Sequence, residues 1–186
     1  MAAEFHGHVC PGLAMGYRVA KYVREHYPRS EDEELVCIAE NKSCSVDAVQ
    51  FLLGCTAGKG NLIVVDNGKQ AFTFYSRDKS RAMRIYFQGD VLGRMDALRL
   101  KAAAGELSPG ERKEMDALRS QVIDTILSGR DEDLLAVKEV DIPAPDKAKI
   151  YPSLRCQQCG ERFMEIKGRT AEGKVLCKDC FEKIVC

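Results

Sequence analysis

The most constraining feature of the sequence is a pair of Cys-x-x-Cys motifs near its carboxyl terminus. Cys156 and Cys159 form the first pair, Cys177 and Cys180 form the second, and 17 residues separate them. This spacing is typical of a site in which four thiolates hold one zinc ion in a tetrahedron. Four protein ligands leave no open coordination position, so we expect one structural zinc ion per chain.

Residues 151–186 are too few to bury a stable core by themselves, so zinc would supply part of their folding free energy. The pattern predicts a hairpin formed by Phe163–Lys167 and Lys174–Leu176, followed by a helix that begins near Cys177. This order predicts a small treble-clef-like zinc finger, with Phe163 and Phe181 filling its core. Two disulfides are the alternative, which a reducing compartment disfavours.

Composition predicts a folded chain with one core domain and a small appended module. Of 186 residues, 45 % are hydrophobic and 30 % are charged, and the formal net charge is +0. A neutral chain has no overall field that would recruit nucleic acid or an anionic membrane. The first residues, MAAEFHGHVCPG, lack the pattern of a secretory signal, and no apolar run approaches the roughly 20 residues of a membrane span. We therefore expect a cytoplasmic protein with reduced thiols, among which Cys186 is a spare.

Hydrophobic periodicity predicts an α+β core domain over residues 1–142 whose antiparallel or mixed sheet is flanked by helices. An Asn67-Gly68 pair between two apolar runs predicts a hairpin. Ser45 is the predicted cap of the second helix, and prolines in 143–150 predict a linker before the zinc finger at 151–186. The predicted helices cover 12–27, 45–54 and 109–128, and the other predicted strands cover 35–40, 83–88 and 137–142.

The charges of the zinc finger argue against nucleic acid as a partner. Seven basic and five acidic side chains are interleaved in residues 151–186, which leaves a net charge of +2. That is a weak footprint for a polyanion, and a solvated face is the simpler interpretation. A regulatory or nucleic-acid-binding zinc-finger protein is therefore the third of three functional hypotheses.

Three metal-ligating residues alternate with other residues near the amino terminus. His6, His8 and Cys10 would share one face of an extended segment. Pro11 favours an extended Cys10, and the helix that follows directs free N–H groups toward its sulfur, which favours a thiolate. Spacing alone leaves a second interpretation open, in which Cys10 is a small packed residue and the histidines lie on the surface.

Further thiols flank the second predicted helix. Cys44 precedes it, with Asp47 three residues on, and Cys55 follows its terminating glycine, whereas Cys37 is expected in the core. Spacing does not show whether these thiols meet the histidine segment. Lys59 lies in the glycine-rich stretch CTAGKG, which lacks the spacing of a phosphate-binding loop but would place a positive charge near a pocket.

Three segments together resemble the FmdE family of formylmethanofuran dehydrogenase proteins. They are FHGHVCPGLAMGYR (5–18), CSVDAVQFLLGCTAGKGNL (44–62) and DNGKQAFTFY (66–75). The resemblance implies an α+β core that forms a homodimer, with a cleft of histidine, cysteine and acidic residues. It implies Cys10, Cys44, Asp47 and Lys59 as catalytic candidates, and His6, His8, Cys10 and Cys55 as candidate ligands of a second, transition metal.

The leading hypothesis is a metal-binding accessory protein, related to methanogenesis, that associates with molybdenum or tungsten enzyme subunits. No closely spaced cysteine run of a ferredoxin is present, so we do not expect the redox subunit itself. Coordination would use His8, Cys10 and a thiol from residues 44–55. The second hypothesis is a thiol enzyme with Cys10 or Cys44 as nucleophile and a histidine base.

Overall fold

A computed structural model of the chain describes residues 1–27 and 34–185. The chain forms two compact units, one from Met1 to Lys147 and one that begins at Ala148. Cys186, expected as a spare thiol, lies outside the described residues. No helix in the described ranges combines the length and the apolar character needed to cross a bilayer.

The first unit, called the core unit below, contains a five-stranded mixed sheet with strand order β2-β1-β3-β4-β5. The β1–β2 pair is parallel and the other pairs are antiparallel. The mixed sheet confirms the expected fold class. Its strands are β1 (Leu35–Ala39), β2 (Leu62–Val64), β3 (Ala71–Ser76), β4 (Arg81–Phe87) and β5 (Leu135–Val140).

Helices accompany this sheet, and the three that the sequence predicts are confirmed. α5 begins with a capping box in which Ser108 and Glu111 bond each other's backbone N–H, a pairing that satisfies two otherwise unpaired donors. The glycine that follows α3, Gly54, is left-handed, as expected for a helix terminator. The helices are α1 (Ala2–His6), α2 (Pro11–His26), α3 (Ser45–Leu53), α4 (Gly93–Ala103), α5 (Pro109–Ser128) and α6 (Asp131–Leu134).

The main hydrophobic core lies between one face of the sheet and the helices. Phe72, Phe74 and Ile85 from the strands pack with Val19 and Val23 of α2, and all five are fully buried. Burial of each such side chain contributes about 1.5–3 kcal/mol. This core fixes α2, whose amino-terminal end carries Cys10.

The predicted hairpin between the two apolar runs at Asn67-Gly68 is wrong, because β1 lies between β2 and β3. Ala39 O accepts from Val65 N on one side of β1, and Glu40 N donates to Ala71 O on the other. β1 is more buried than β2, and its place between β2 and β3 satisfies its backbone polar groups on both edges. β2 is only half-buried and lies at the edge of the sheet.

The expected extended segment at His6–Cys10 is also wrong in its first half. His6 is the last residue of α1, and Gly7 ends that helix with a left-handed φ of 92°. Cys10, with φ −142° and ψ 163°, has the extended backbone that the sequence predicts. The two histidines therefore do not share the face of a strand.

The second unit, called the finger unit, contains two short hairpins and a helix. Phe163 and Phe181 pack around its small core, as expected. The predicted strand pairing is wrong, because β6 pairs with β7 and β8 with β9, and a 3-10 turn separates the hairpins. Its elements are β6 (Ser153–Arg155), β7 (Arg162–Met164), β8 (Arg169–Ala171), β9 (Lys174–Leu176) and α7 (Lys178–Val185).

Candidate metal centres

The finger unit brings its four paired cysteines together. The sulfur atoms of Cys156, Cys159, Cys177 and Cys180 all lie within 4.8 Å of one another, and Cys159 Sγ is 3.9 Å from Cys177 Sγ. Zinc–sulfur bonds of about 2.3 Å in a tetrahedron place sulfur atoms about 3.8 Å apart. The arrangement therefore fits one zinc ion, as the spacing predicts.

The local backbone prepares one of these thiols for metal binding. Burial raises the pKa of Cys156, but backbone N–H groups of Cys159, Cys177 and Gln158 outweigh it, and the pKa falls to about 6. Burial and the three neighbouring cysteines raise the pKa of Cys180 to about 12. Cys156 therefore loses its proton at lower pH than Cys180, and zinc binding displaces the proton of Cys180 less readily.

A second group of metal-ligating atoms lies in the core unit, where α1, α2 and α3 meet. Ligand atoms of His6, Cys10 and Cys44 lie within 4.8 Å of one another. His6 Nε2 is 3.8 Å from Cys10 Sγ. These three residues are called the core cluster below.

The orientation of the His6 ring is fixed by a carboxylate. Asp47 Oδ2 in the first turn of α3 lies 2.7 Å from His6 Nδ1, and the His6 side chain is only 10 % exposed. With Nδ1 donating to the carboxylate, Nε2 carries its lone pair toward the thiols. A carboxylate behind a histidine is the usual arrangement at metal sites, where it fixes the tautomer and raises ligand basicity.

The two thiols of the core cluster have different surroundings. Cys10 is the N-cap of α2, and its sulfur accepts a hydrogen bond of 3.4 Å from Leu13 N. Cys44 is the N-cap of α3, and burial together with the adjacent Cys10 raises its pKa. A metal ion at this site would counteract the raised pKa, because its positive charge stabilises the thiolate and a coordinated thiol loses its proton.

Two glycines allow α2 and α3 to approach closely enough for the thiols to meet. A Cβ atom on Gly12 would lie 3.1 Å from Cys44 Cβ, and one on Gly16 would lie 2.1 Å from Ser45 O. The sequence interpretation did not identify either glycine as part of the site. Their spacing of four residues on one helix face was the available signal for a close helix contact.

A buried polar network holds the loop that carries Cys44. The Asn41 amide oxygen accepts from Ser43 N and Ser43 Oγ, and Ser45 Oγ, which lies 3.2 Å from that oxygen, donates to Gln70 Oε1 at 2.9 Å. The prediction that Ser45 caps α3 is therefore wrong, because its hydroxyl is engaged in this network and Cys44 holds the cap position. The network fixes the backbone before α3 and so positions Cys44.

The remaining predicted site residues lie elsewhere. His8 is exposed beside the cluster, with its ring centroid 4.6 Å from that of His6. Cys55 and Lys59 follow the opposite end of α3, about 13 Å along the helix from Cys44. Cys55 is fully buried and contacts Leu35 O at 3.5 Å.

The core cluster fits a transition metal with two thiolates and one imidazole as ligands. In a tetrahedral zinc site the sulfur-to-nitrogen distance is about 3.6 Å, close to that between Cys10 and His6. Three protein ligands leave one coordination position for water, substrate or a further side chain. The exposed His8, whose ring centroid is 4.6 Å from that of His6, is one neighbouring side chain of a type that binds such metals.

An open cavity of about 360 Å³ lies on the α1 and α2 side of the core unit. Ala3 and Leu13 line it and also pack against Cys10 and Cys44. Tyr17 and Lys21 contribute polar groups to an otherwise mainly apolar wall.

Comparison with known proteins identifies both units. The family model described as FmdE, molybdenum formylmethanofuran dehydrogenase operon, matches residues 5–136. The model of the prokaryotic dksA/traR C4-type zinc finger matches residues 149–185.

One curated relative and one solved structure are similar over nearly the whole chain. A probable S-adenosyl-L-methionine-binding protein of Archaeoglobus fulgidus is 30 % identical over 191 residues, which are 96 % of this chain. The chain spans about half (51 %) of the length of that relative. The crystal structure of a tungsten formylmethanofuran dehydrogenase FmdE-like protein from Syntrophus aciditrophicus shares the fold. It matches with a TM-score of 0.64 at 23 % identity, and the match covers 97 % of this chain and 88 % of that one.

Proposed function

The chain belongs to the FmdE family, and we propose that its core unit binds a transition-metal ion through His6, Cys10 and Cys44. The observation that carries this proposal is the convergence of their ligand atoms within 4.8 Å. The contact between His6 and Asp47 supports it, since it directs the other ring nitrogen to the thiols. The protein would then act as a metal-binding accessory protein with one structural and one open site.

The donor set favours a borderline-soft ion such as zinc. Thiolates and imidazole are the ligands of zinc sites in proteins, whereas magnesium and calcium prefer oxygen ligands. A site with an open position can activate a bound water or hold a substrate, and a closed site cannot. The core site is therefore the functional one of the two in this proposal.

Metal content of the full chain tests the proposal. The wild type should carry two metal ions per chain by elemental analysis, and Cys10→Ser and Cys44→Ser should each carry one. Cys156→Ser should also carry one, held by the core. Cobalt substitution should give thiolate-to-metal charge-transfer absorption that persists in Cys156→Ser.

Cys37→Ala is the matched control, because it removes a buried thiol of the same unit that is not in the core cluster. It should keep both metals. A wild type that carries a single ion, lost in Cys156→Ser and retained in Cys10→Ser, would overturn the core site.

A thiol enzyme is the second candidate, and the chain Cys10–His6–Asp47 favours it. His6 contacts Cys10 Sγ through Nε2 and Asp47 Oδ2 through Nδ1. This is the order of nucleophile, base and orienting carboxylate in enzymes that use a thiol or hydroxyl nucleophile. This candidate predicts that Cys10 in metal-free protein reacts with iodoacetamide faster than a model thiol and that Asp47→Asn slows the reaction. A Cys10 no faster than the model thiol would exclude it.

The family and its relatives also suggest partners and an organic ligand. Association with formylmethanofuran dehydrogenase and the formation of a homodimer remain proposals, and light scattering of the purified chain tests the dimer.

S-adenosyl-L-methionine, the ligand in the name of the Archaeoglobus fulgidus relative, would occupy the cavity lined by Ala3 and Leu13. Calorimetric titration with that compound should show saturable binding, which Leu13→Phe should remove. A wild-type titration without saturable binding would argue against this ligand.

A further inference from the structure

We propose that Cys10 and Cys44 are a redox modification site: in the metal-free protein they form a reversible disulfide by exchange with a low-molecular-weight disulfide. The inference deepens the proposed function, because it implies that oxidation and metal binding compete for the same two sulfurs. The competition with metal depends on the proposed metal site. The disulfide itself depends only on the geometry of the two thiols.

The sulfur atoms of the two cysteines lie close to each other. Their sulfur atoms lie within 4.8 Å, and an S–S bond of about 2.0 Å needs a change of less than about 3 Å, within reach of side-chain rotation. The backbones also approach closely, since the Cβ position of Gly12, two residues after Cys10, is 3.1 Å from Cys44 Cβ. Both cysteines are N-caps of helices that pack directly on each other.

The other described thiols are less suited to this exchange. Cys37 and Cys55 are fully buried in the main core, where a soluble disulfide does not reach them. The four cysteines of the finger unit have one another as partners once zinc is removed, and their cross-links give different peptides from a Cys10–Cys44 link. Cys44 is half-buried and Cys10 is 7 % exposed, so Cys44 is the sulfur that a small oxidant meets first.

The reaction balances with the small disulfide as the only oxidant. Cys44 gives up its thiol proton to solvent, and its sulfur attacks one sulfur of R–S–S–R. The S–S bond of the small disulfide breaks, an S–S bond forms to Cys44, and R–S⁻ leaves and takes up a proton. The Cys10 thiolate then attacks Cys44 Sγ of the mixed disulfide and expels the second R–S⁻, which also takes up a proton. The two protein thiols are oxidised, and one R–S–S–R is reduced to two R–SH.

The surroundings of Cys10 suit the resolving step. Leu13 N–H donates to its sulfur and holds that atom in place, within 4.8 Å of Cys44 Sγ. A shielded thiol that reacts only with a neighbouring mixed disulfide gives an intramolecular bond in place of a lasting adduct.

The test treats the full chain, freed of metal by a chelator, with oxidised glutathione and maps the products by mass spectrometry of proteolytic peptides. The expected product is a Cys10–Cys44 cross-link that dithiothreitol reverses. Cys10→Ser should instead retain a glutathionyl group on Cys44, because the resolving thiol is missing. Cys44→Ser should acquire little adduct at Cys10, and Cys37→Ala, the control, should form the cross-link as the wild type does.

The outcomes separate this inference from the proposed function. A wild type that accumulates a stable glutathionyl adduct on Cys44, or no modification of either residue, overturns the disulfide even if the core binds metal. A cross-link that forms equally fast with and without added zinc overturns the competition and, with it, the assignment of these thiols as ligands. A cross-link that zinc suppresses supports both.

Discussion

Gly16 in α2 lies directly against the backbone of Ser45 in α3, so that a Cβ atom at Gly16 would be 2.1 Å from the Ser45 carbonyl oxygen. Real atoms do not approach this closely, so any larger residue must push the two helices apart. The same contact sets the separation of Cys10 and Cys44, which begin these two helices. The packing of these two helices therefore also sets the geometry of the proposed core metal site.

The first prediction is that Gly16→Ala destabilises the core unit. The clash is with backbone, which yields less readily than a flexible side chain, so we expect a loss of about 1–3 kcal/mol or more in the free energy of unfolding. Urea denaturation followed by circular dichroism measures this loss. Any folded fraction should bind core metal less tightly, since Cys10 moves away from Cys44.

Gly93→Ala is the matched control for this prediction. Gly93 begins α4, and a Cβ atom there would meet no other atom within 4 Å. The control should be neutral or stabilising by up to about 1 kcal/mol, because alanine is the better helix former. Equal losses in the two variants would show that the close contact is not what Gly16 provides.

The second prediction concerns the carboxylate behind His6. Asp47→Asn should weaken core metal binding by about 10–100-fold, because the amide neither fixes the His6 tautomer nor raises its basicity. Competition with a chromophoric chelator measures the affinity in the full chain. The finger site should be unchanged.

Asp96→Asn provides the comparison, since Asp96 is also an acidic residue in the first turn of a helix but pairs with the exposed Arg99. It should leave both metal affinities as they are. If Asp47→Asn binds core metal as tightly as Asp96→Asn, the histidine does not depend on its carboxylate.

The positions of helices could be predicted from the sequence more accurately than the order of the strands in the sheet. α2, α3 and α5 follow from hydrophobic periodicity and from local capping or terminating residues, which act within a few positions along the chain. The strands that pair with β1 cannot be predicted in this way, because strand order depends on how deeply each strand is buried. The apolar run before Asn67 is followed by residues typical of a hairpin turn, which predicted that β2 pairs with β3. In the structure the more buried strand β1 pairs with β3 instead.

The candidate site was predictable in its residue types and less so in its geometry. Cys10 and Cys44 lie together in the core cluster, which sequence spacing alone did not show. Of the two candidate histidines, the cluster contains His6, whereas the leading hypothesis had used His8. Sequence spacing treated the histidines as strand neighbours, whereas α1 ends at His6 and Gly7 turns the chain away. The ligand role of Cys55 remains a prediction, and its position at the far end of α3 does not support it.

A third prediction follows from the ion pair between Glu40 and Arg84. Arg84 Nε is 2.7 Å from Glu40 Oε1, and this hydrogen bond lowers the pKa of Glu40 despite its burial. A carboxyl group with a lowered folded-state pKa stabilises the fold above its unfolded pKa of about 4.3, and this contribution is lost as pH falls through the lowered value. Glu40→Gln should cost about 1–3 kcal/mol at pH 7, and the difference from wild type should shrink below pH ~4.

Urea unfolding at a series of pH values measures this dependence. The control is Glu139→Gln, which removes a carboxylate that pairs with Arg81 but is 72 % exposed. Exposed pairs contribute about 0–1 kcal/mol, so its effect should be small at every pH. A Glu40→Gln deficit that stays constant from pH 7 to 3 would refute the proposed cause.

The fourth prediction is that zinc removal unfolds the finger unit and leaves the core unit folded. The finger core consists of few side chains around Leu176 and its cysteines, too little apolar surface to hold the fold without the metal. Cys180→Ser should therefore abolish the dispersed amide resonances of the residues after Ala148 in a heteronuclear NMR spectrum. The resonances of the core unit should keep their positions.

Acid should have the same effect as the substitution, because protons compete with zinc for the thiolates and the affinity falls as pH falls. Ser153→Ala is the control, since Ser153 is an exposed residue of β6 in the same unit and contributes no ligand. It should keep zinc and all finger resonances. Dispersed finger resonances in zinc-free Cys180→Ser protein would show that the unit folds on its apolar core alone and that the four thiolates are not needed for its structure.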